Sequence, residues 1–247
     1  MTTPTRSAFI TGATGGIGLA VARAMTAAGY AVTVTGRRPE ALERSVATLA
    51  ADAPGATVVP VVADLRDDEV RTRLVTEHAG RHGRMDALVV CAGMGRAMPL
   101  ANSQARHFDE VFAVNTRAAF GLIVDSIGLL RKAADDAGVA RVVVISSITA
   151  HYPEAGLAAY SASKAALLSL CRSVNVEHSA DGVLATAICP GYVDTVMSDW
   201  KKDVIAADQM VTTRDVADAV MFVVSLSPAA VVPEIQMMRA ASRLHEA

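Results

Sequence analysis

The 247-residue chain is 52% hydrophobic and 19% charged, with a formal net charge of −2, which is enough apolar material for one sizeable core near the upper limit of a single domain. It carries no basic footprint for nucleic acid and no acidic tail, so the expected partner is a small molecule. Cys91, Cys171 and Cys189 are an odd, widely spaced set without a C-x-x-C pair, which argues against a disulfide framework or a zinc site and for a reducing cytoplasm.

In chain order, MTTPTRSAFITG runs from a polar lead into an apolar strand without the pattern of a secretory signal, and no apolar run is expected to span a membrane. The strand SAFIT meets TGATGGIG, residues 11 to 18, which opens the helix GIGLAVARAMTAAG. Glycines there let the backbone turn and let a pyrophosphate approach a helix N-terminus. Their spacing, with Gly12, Gly16 and Gly18 as G-x-x-x-G-x-G, departs from the usual G-x-G-x-x-G. Taken alone, the loop fits either a phosphate cradle or a bare strand-to-helix turn.

The second strand, YAVTVTG, ends in TGRRPE, where an NAD-binding fold places an acid for the ribose 2′-hydroxyl. Gly36 leaves room, and the guanidinium groups of Arg37 and Arg38 suit a 2′-phosphate, so NADP(H) is expected over NAD(H). The alternative is two solvated arginines at a helix start, a poor place for cations unless an anion joins them. Next come the helix PEALERSVATLAAD, the strand TVVPVVAD, a polar helix from Asp67 to His82 and the strand MDALVVCAG. His78 and His82 have i, i+4 spacing but no third ligand nearby, so they read as a solvated surface pair, and no metal is expected.

The second half continues with a long helix near Ser103 to Asp136, the strand RVVVISS, a helix from about Tyr160 to Ser179 and the strand VLATAICP. A helix near Thr213 to Ser227 and the strand VVPEI follow, after which the pattern of the tail is not decisive. The strands are near-continuous apolar runs, as in sheets covered on both faces. The expected fold class is therefore α/β: a single-domain Rossmann fold over residues 1–247, with a doubly wound parallel sheet of about seven strands flanked by helices. Val111, Phe112, Val114, Phe120, Leu122, Ile123, Val124 and Ile127 cannot share one stripe. One helix face should pack on the sheet and another on a second subunit, unless the helix is wholly buried in a monomer.

AAYSASKAA, residues 158 to 166, places Tyr160 and Lys164 on one helix face. An ammonium about 5 Å from a phenol, at an effective dielectric near 20, stabilises the phenolate by roughly 3 kcal/mol, or about two pK units. That would bring the phenol toward general acid–base work. Ser147 ends RVVVISS at the carboxyl edge of the sheet, where its hydroxyl could hold a substrate carbonyl oxygen. A structural tyrosine and a solvated lysine remain the alternative on spacing alone.

Taken together, TGATGGIG, the CAG of residues 91 to 93, Asn115 in FAVNT, Ser147, YSASK and PGYVDT at 190 to 195 resemble the short-chain dehydrogenase/reductase family from residue 6 to about 227. The resemblance implies Tyr160 as acid/base, Lys164 lowering its pKa and binding the nicotinamide ribose, Ser147 orienting the carbonyl, and Asn115 holding a relay water. It implies a cofactor site of Gly12, Thr14, Gly16, Ile17, Gly18, Arg37, Arg38, Asp64 at the adenine, Leu65, Ala92 and Gly93. Tyr160, Lys164 and the nicotinamide-orienting Pro190, Val193 and Thr195 complete it. A cytoplasmic homo-oligomer, dimer or tetramer, goes with it.

Two features depart from the family. Cys91 stands where asparagine is common, and VVPEIQMMRA replaces the usual glycine-rich stretch near the C-terminus. The substrate pocket is expected from Met94–Pro99, Ile148–Leu157 and Tyr192–Gln209, with a lid at about 194–212 and Arg96, His151 and Tyr152 as polar contacts. Trp200 is either part of that lid or a core or interface anchor. The expected activity interconverts a ketone or aldehyde and an alcohol. The alternatives are a silent NADP-binding regulatory or scaffold protein and an epimerase or dehydratase of related chemistry.

Overall fold

The computed structural model describes residues 5–240 and 242; the first residues of the polar lead and the end of the tail lie outside the described residues. Strands and helices alternate as β1 (Ser7–Thr11), α1 (Gly16–Ala27), β2 (Ala31–Gly36), α2 (Pro39–Asp52), β3 (Val58–Val62), α3 (Asp68–His82) and β4 (Ala87–Val90). Then follow α4 (Ala105–Phe112), α5 (Ala118–Ala137), β5 (Ala140–Ile145), α6 (Ala158–His178), β6 (Val183–Pro190), α7 (Thr213–Ser225) and β7 (Glu234–Met237). The sheet order is β3-β2-β1-β4-β5-β6-β7, and every pairing is parallel. Chain direction across the sheet reverses between β1 and β4, which opens a ligand crevice at the carboxyl ends of those strands.

Alternate strand residues feed two cores. Phe9, Leu88 and Val142 pack with Leu74, Leu122 and Leu167 of α3, α5 and α6. Ile10, Val32 and Val143 pack with Val21, Met25, Leu42 and Val220 of α1, α2 and α7. Two helix starts show why they begin where they do: Asp67 accepts hydrogen bonds from the Glu69 and Val70 amides, and Thr212 and Asp215 form a reciprocal capping box.

Three expectations need correction. The long helix is interrupted, because Ala113–Arg117 forms a π-helical turn between α4 and α5; such turns open the hydrogen-bond ladder and often mark functional sites. By length and composition alone, Ala105–Ala137 could cross a membrane, contrary to the reading that no run is long enough. One of its faces supplies the sheet core, while Phe108, Phe120 and Val124 face outward. The last strand starts at Glu234, not Val231, since Pro233 has no N–H and enters the ladder only through its carbonyl, which accepts from Ala187.

His78 and His82 are not a solvated pair. His78 is 1% exposed; its Nε2 donates to the Arg84 carbonyl at 3.0 Å and its Nδ1 accepts from Thr33 Oγ1 at 2.8 Å. These bonds fix a neutral tautomer, and burial with help from His82 lowers its pKa from 6.5 to about 4. Between those two values the unfolded chain binds the proton that the folded chain refuses, so stability is complete above 6.5 and falls as pH drops toward 4. The loss amounts to about 3 kcal/mol. Urea titrations across this window should give His78→Gln a flatter pH slope, by up to one proton, than the parent. An unchanged slope would assign the acid sensitivity elsewhere.

Candidate active site

The crevice holds two adjoining cavities. One, of about 1190 Å³, is lined by Gly12, Thr14, Gly16, Ile17, Gly18, Arg37, Arg38, Asp64, Leu65, Ala92 and Gly93, every position expected at its adenine and phosphate end. The other, of about 850 Å³, is lined by Ser147, Tyr160, Lys164, Pro190, Val193 and Thr195. Ile17, Cys91, Gly93, Thr195 and Met197 line both.

The glycine loop fits a pyrophosphate. Gly12 has φ +67°, and a Cβ there would lie 2.9 Å from the Ala92 backbone, so only glycine lets β1 turn this close to the end of β4. A Cβ at Gly18 would meet the Gly12 carbonyl, which seats α1 directly on the loop. The helix has neither a side-chain cap nor an acidic residue in its first turn, leaving its N-terminal amides to an anion.

Gly36 serves a purpose that the sequence reading missed. Its Cβ would land on Thr14 Cγ2, so the room it leaves is already filled by the threonine. Gly36→Ala should cost about 1–3 kcal/mol of stability through overpacking, and adding Thr14→Ser, which removes that methyl, should recover most of it in urea unfolding. A Gly36→Ala protein as stable as the parent would show that the contact is not tight.

Arg37 and Arg38 are exposed on the groove wall at the start of α2. Asp64 is engaged by Arg66, whose Nη2 lies 2.5 Å from Asp64 Oδ2. This pairing, with a smaller contribution from Arg37, holds the carboxyl at about 2. Arg66 is a groove residue that sequence reasoning missed; its position two residues after Asp64 was the available signal.

Asn115 is buried in the π-helical turn and does not line the cavity. Its Oδ1 accepts from the Met94 amide at 2.8 Å, and its Nδ2 donates to the Met94 carbonyl at 2.9 Å and to Ser163 Oγ at 3.0 Å. The side chain therefore pins the segment after β4 to α6. Thr11 pins the same region, its hydroxyl accepting from the Cys91 and Ala92 amides. Ser147 Oγ accepts from Thr149 Oγ1 at 2.9 Å.

Lys164 Nζ donates to the Ile145 carbonyl at 2.8 Å and lies 5.6 Å from the centre of the Tyr160 ring. Burial lowers Lys164 to about 8, opposed by the neighbouring Cys91 and Cys189. Burial raises the Tyr160 phenol, and a hydrogen bond with Ser147 opposes it. Burial thus dominates over the Ser147 hydrogen bond in setting the direction of the phenol's shift.

The catalytic-side cavity is largely apolar. From the expected segments it takes Met94 to Ala97, Thr149, Leu157, Tyr192, Val193, Thr195, Met197, Ser198 and Trp200. His151 and Tyr152 are absent from its lining: His151 turns toward Glu234, and Tyr152 borders a separate cavity with Glu154 and Lys201. Trp200 is half exposed at the rim, its ring edge-on to Tyr192 at 6.0 Å. Beside it Glu154 accepts from Tyr192 Oη at 2.5 Å and pairs with Lys201 Nζ at 2.5 Å, joining the loop before α6 to the segment after β6.

The short chain dehydrogenase family matches residues 6–204. A 2-(R)-hydroxypropyl-CoM dehydrogenase of Xanthobacter autotrophicus is 33% identical over 88% of this chain and 90% of its own length. A 1-deoxy-11-beta-hydroxypentalenate dehydrogenase of Streptomyces exfoliatus is 35% identical over 78% of this chain and 69% of its own. Among solved structures, a metagenomic short-chain oxidoreductase in complex with NADP superposes with a TM-score of 0.81 and 26% identity, covering 96% of this chain and 98% of that one.

Proposed function

The chain belongs to the short-chain dehydrogenase/reductase family, and from that premise we propose that it is an NADP(H)-dependent oxidoreductase interconverting a ketone or aldehyde and an alcohol. One observation carries the reading: Ser147, Tyr160 and Lys164 line a cavity that shares a wall with the glycine-loop groove. When bound, the nicotinamide supplies or accepts the hydride at the carbonyl carbon.

The chain's own residues do the rest. Ser147 holds the substrate oxygen, and Tyr160 Oη gives it a proton in reduction or takes one in oxidation. Lys164, anchored on Ile145, holds the ribose and supplies positive charge near the phenol. Asn115 keeps Met94, and with it the floor beside Gly93, in place, and is the residue assigned to a relay water. Gly12, Gly16 and Gly18 take the pyrophosphate at α1. Arg37 and Arg38 take the 2′-phosphate, and the NADP complex of a structural relative supports that choice. Pro190, Val193 and Thr195 orient the nicotinamide, and residues 194–212 act as the lid.

We assign residues 1–247 to one dinucleotide-binding domain. Phe108, Phe120, Val124 and Val176, all exposed, support a homo-oligomer, a tetramer or a dimer, and three free cysteines support a reducing cytoplasm. The apolar cavity walls and the hydroxyl-bearing compounds in the relatives' names support a secondary alcohol or its ketone as substrate. The test is a panel of ketones and aldehydes assayed for oxidation of NADPH and of NADH. Turnover with NADPH preferred is the expected result; cofactor binding with no turnover of any carbonyl would refute the enzymatic reading.

A further inference from the structure

The turn after Ser147, the end of β6 and the start of β7 bring a second donor set together. His151 closes the turn that follows Ser147, Cys189 lies next to the end of β6, and Glu234 opens the neighbouring β7. A ring nitrogen, the thiol sulfur and a carboxylate oxygen from these residues all lie within 4.8 Å of one another. His151 Nε2 is 2.5 Å from Glu234 Oε1, yet it is buried and makes no hydrogen bond. His151 Nε2 is thus a buried nitrogen without a hydrogen bond, turned toward the carboxylate and the thiol of the same cluster.

The surroundings orient the donors. Gln236 Nε2 donates to Glu234 Oε1 at 2.9 Å, and Arg172 Nη2 lies 3.6 Å from Oε2, so the carboxylate is fixed from behind as metal ligands commonly are. Cys171, on α6, neighbours both Cys189 and Glu234.

We propose that His151, Cys189 and Glu234 form a zinc site behind the Ser147 turn, with a water in the fourth position. One nitrogen, one sulfur and one oxygen donor suit Zn²⁺, whereas Mg²⁺ and Ca²⁺ take oxygen alone. Zinc bonds of about 2.0 to 2.3 Å place tetrahedral ligands roughly 3.5 Å apart; His151 Nε2 and Glu234 Oε1, at 2.5 Å, would part by about 1 Å to take the ion, within the 4.8 Å that the three donors span. On binding, the Cys189 thiol gives up its proton to solvent and coordinates as thiolate. The ion would staple the turn carrying Ser147 to the edge strand β7, a positioning role with no contact to the substrate.

The test uses the full chain, stripped with a chelator and reloaded with Zn²⁺ or Co²⁺. Expected are one equivalent of zinc per chain and, in the cobalt form, a near-ultraviolet thiolate-to-cobalt band. Cys189→Ala should abolish the band, and His151→Gln should weaken zinc at least about tenfold. His178→Gln, a surface control, should change neither. If Cys189→Ala does not fold, Glu234→Gln at the sheet edge reads the same weakening. Absence of stoichiometric zinc in the parent, zinc retained unchanged by His151→Gln and Glu234→Gln, or zinc that follows His178 would each overturn the proposal. None of these readouts depends on turnover, so a failure here leaves the oxidoreductase reading untouched, and the reverse also holds.

Discussion

Tyr160→Phe is expected to lower kcat for carbonyl reduction by about 10²–10⁴-fold, the range for removing a positioned general acid, while NADPH still binds. The phenylalanine keeps the ring that packs at the cavity wall and removes only Oη. Burial raises the phenol, so at neutral pH it is protonated and poised to donate to a developing alkoxide. In the oxidising direction it must first lose that proton, and the same burial opposes this. Reduction should therefore hold its rate toward neutral and lower pH, while alcohol oxidation by the parent should rise with pH. Stopped-flow reduction and steady-state oxidation over a pH series would measure both; full activity in Tyr160→Phe would sink the mechanism.

Arg37→Ala should raise the KM for NADPH by about 10–100-fold, since a hydrogen bond to a charged group is worth about 1.5–3 kcal/mol. The KM for NADH should stay nearly constant. Geometry explains why Arg37 is the better target than Arg66. Arg66 is tied to Asp64 through a short bidentate contact, whereas Arg37 reaches Asp64 only through its field and is exposed on the groove wall. Equal use of both cofactors by the parent, or equal losses for both in the variant, would remove the 2′-phosphate role.

Much of this was legible because it is local. Apolar run length and glycine position placed the strands and helices within a few residues, and the order of motifs from TGATGGIG to PGYVDT brought the expected groove residues to one crevice. What was hidden depends on contacts between distant segments. The burial of His78 depends on Ser7, Thr33 and Arg84, none of which marks a polar helix as inward-facing. The π-helical turn at Asn115 has no glycine or proline to announce it. The spacing of Cys189 from His151 and Glu234 matches no metal pattern, because the sheet, not the sequence, makes them neighbours. The tyrosine–lysine spacing gave a plausible distance, but the desolvation that raises the phenol depends on burial that spacing cannot show.

The Thr14 methyl occupying the space beside Gly36 bears on how cofactor preference could drift over evolution. An acid written at the end of β2, the single change that would favour a ribose hydroxyl, strikes the threonine before it reaches any nucleotide. The two positions are coupled: a side chain at residue 36 requires the Thr14 methyl to turn away or be lost.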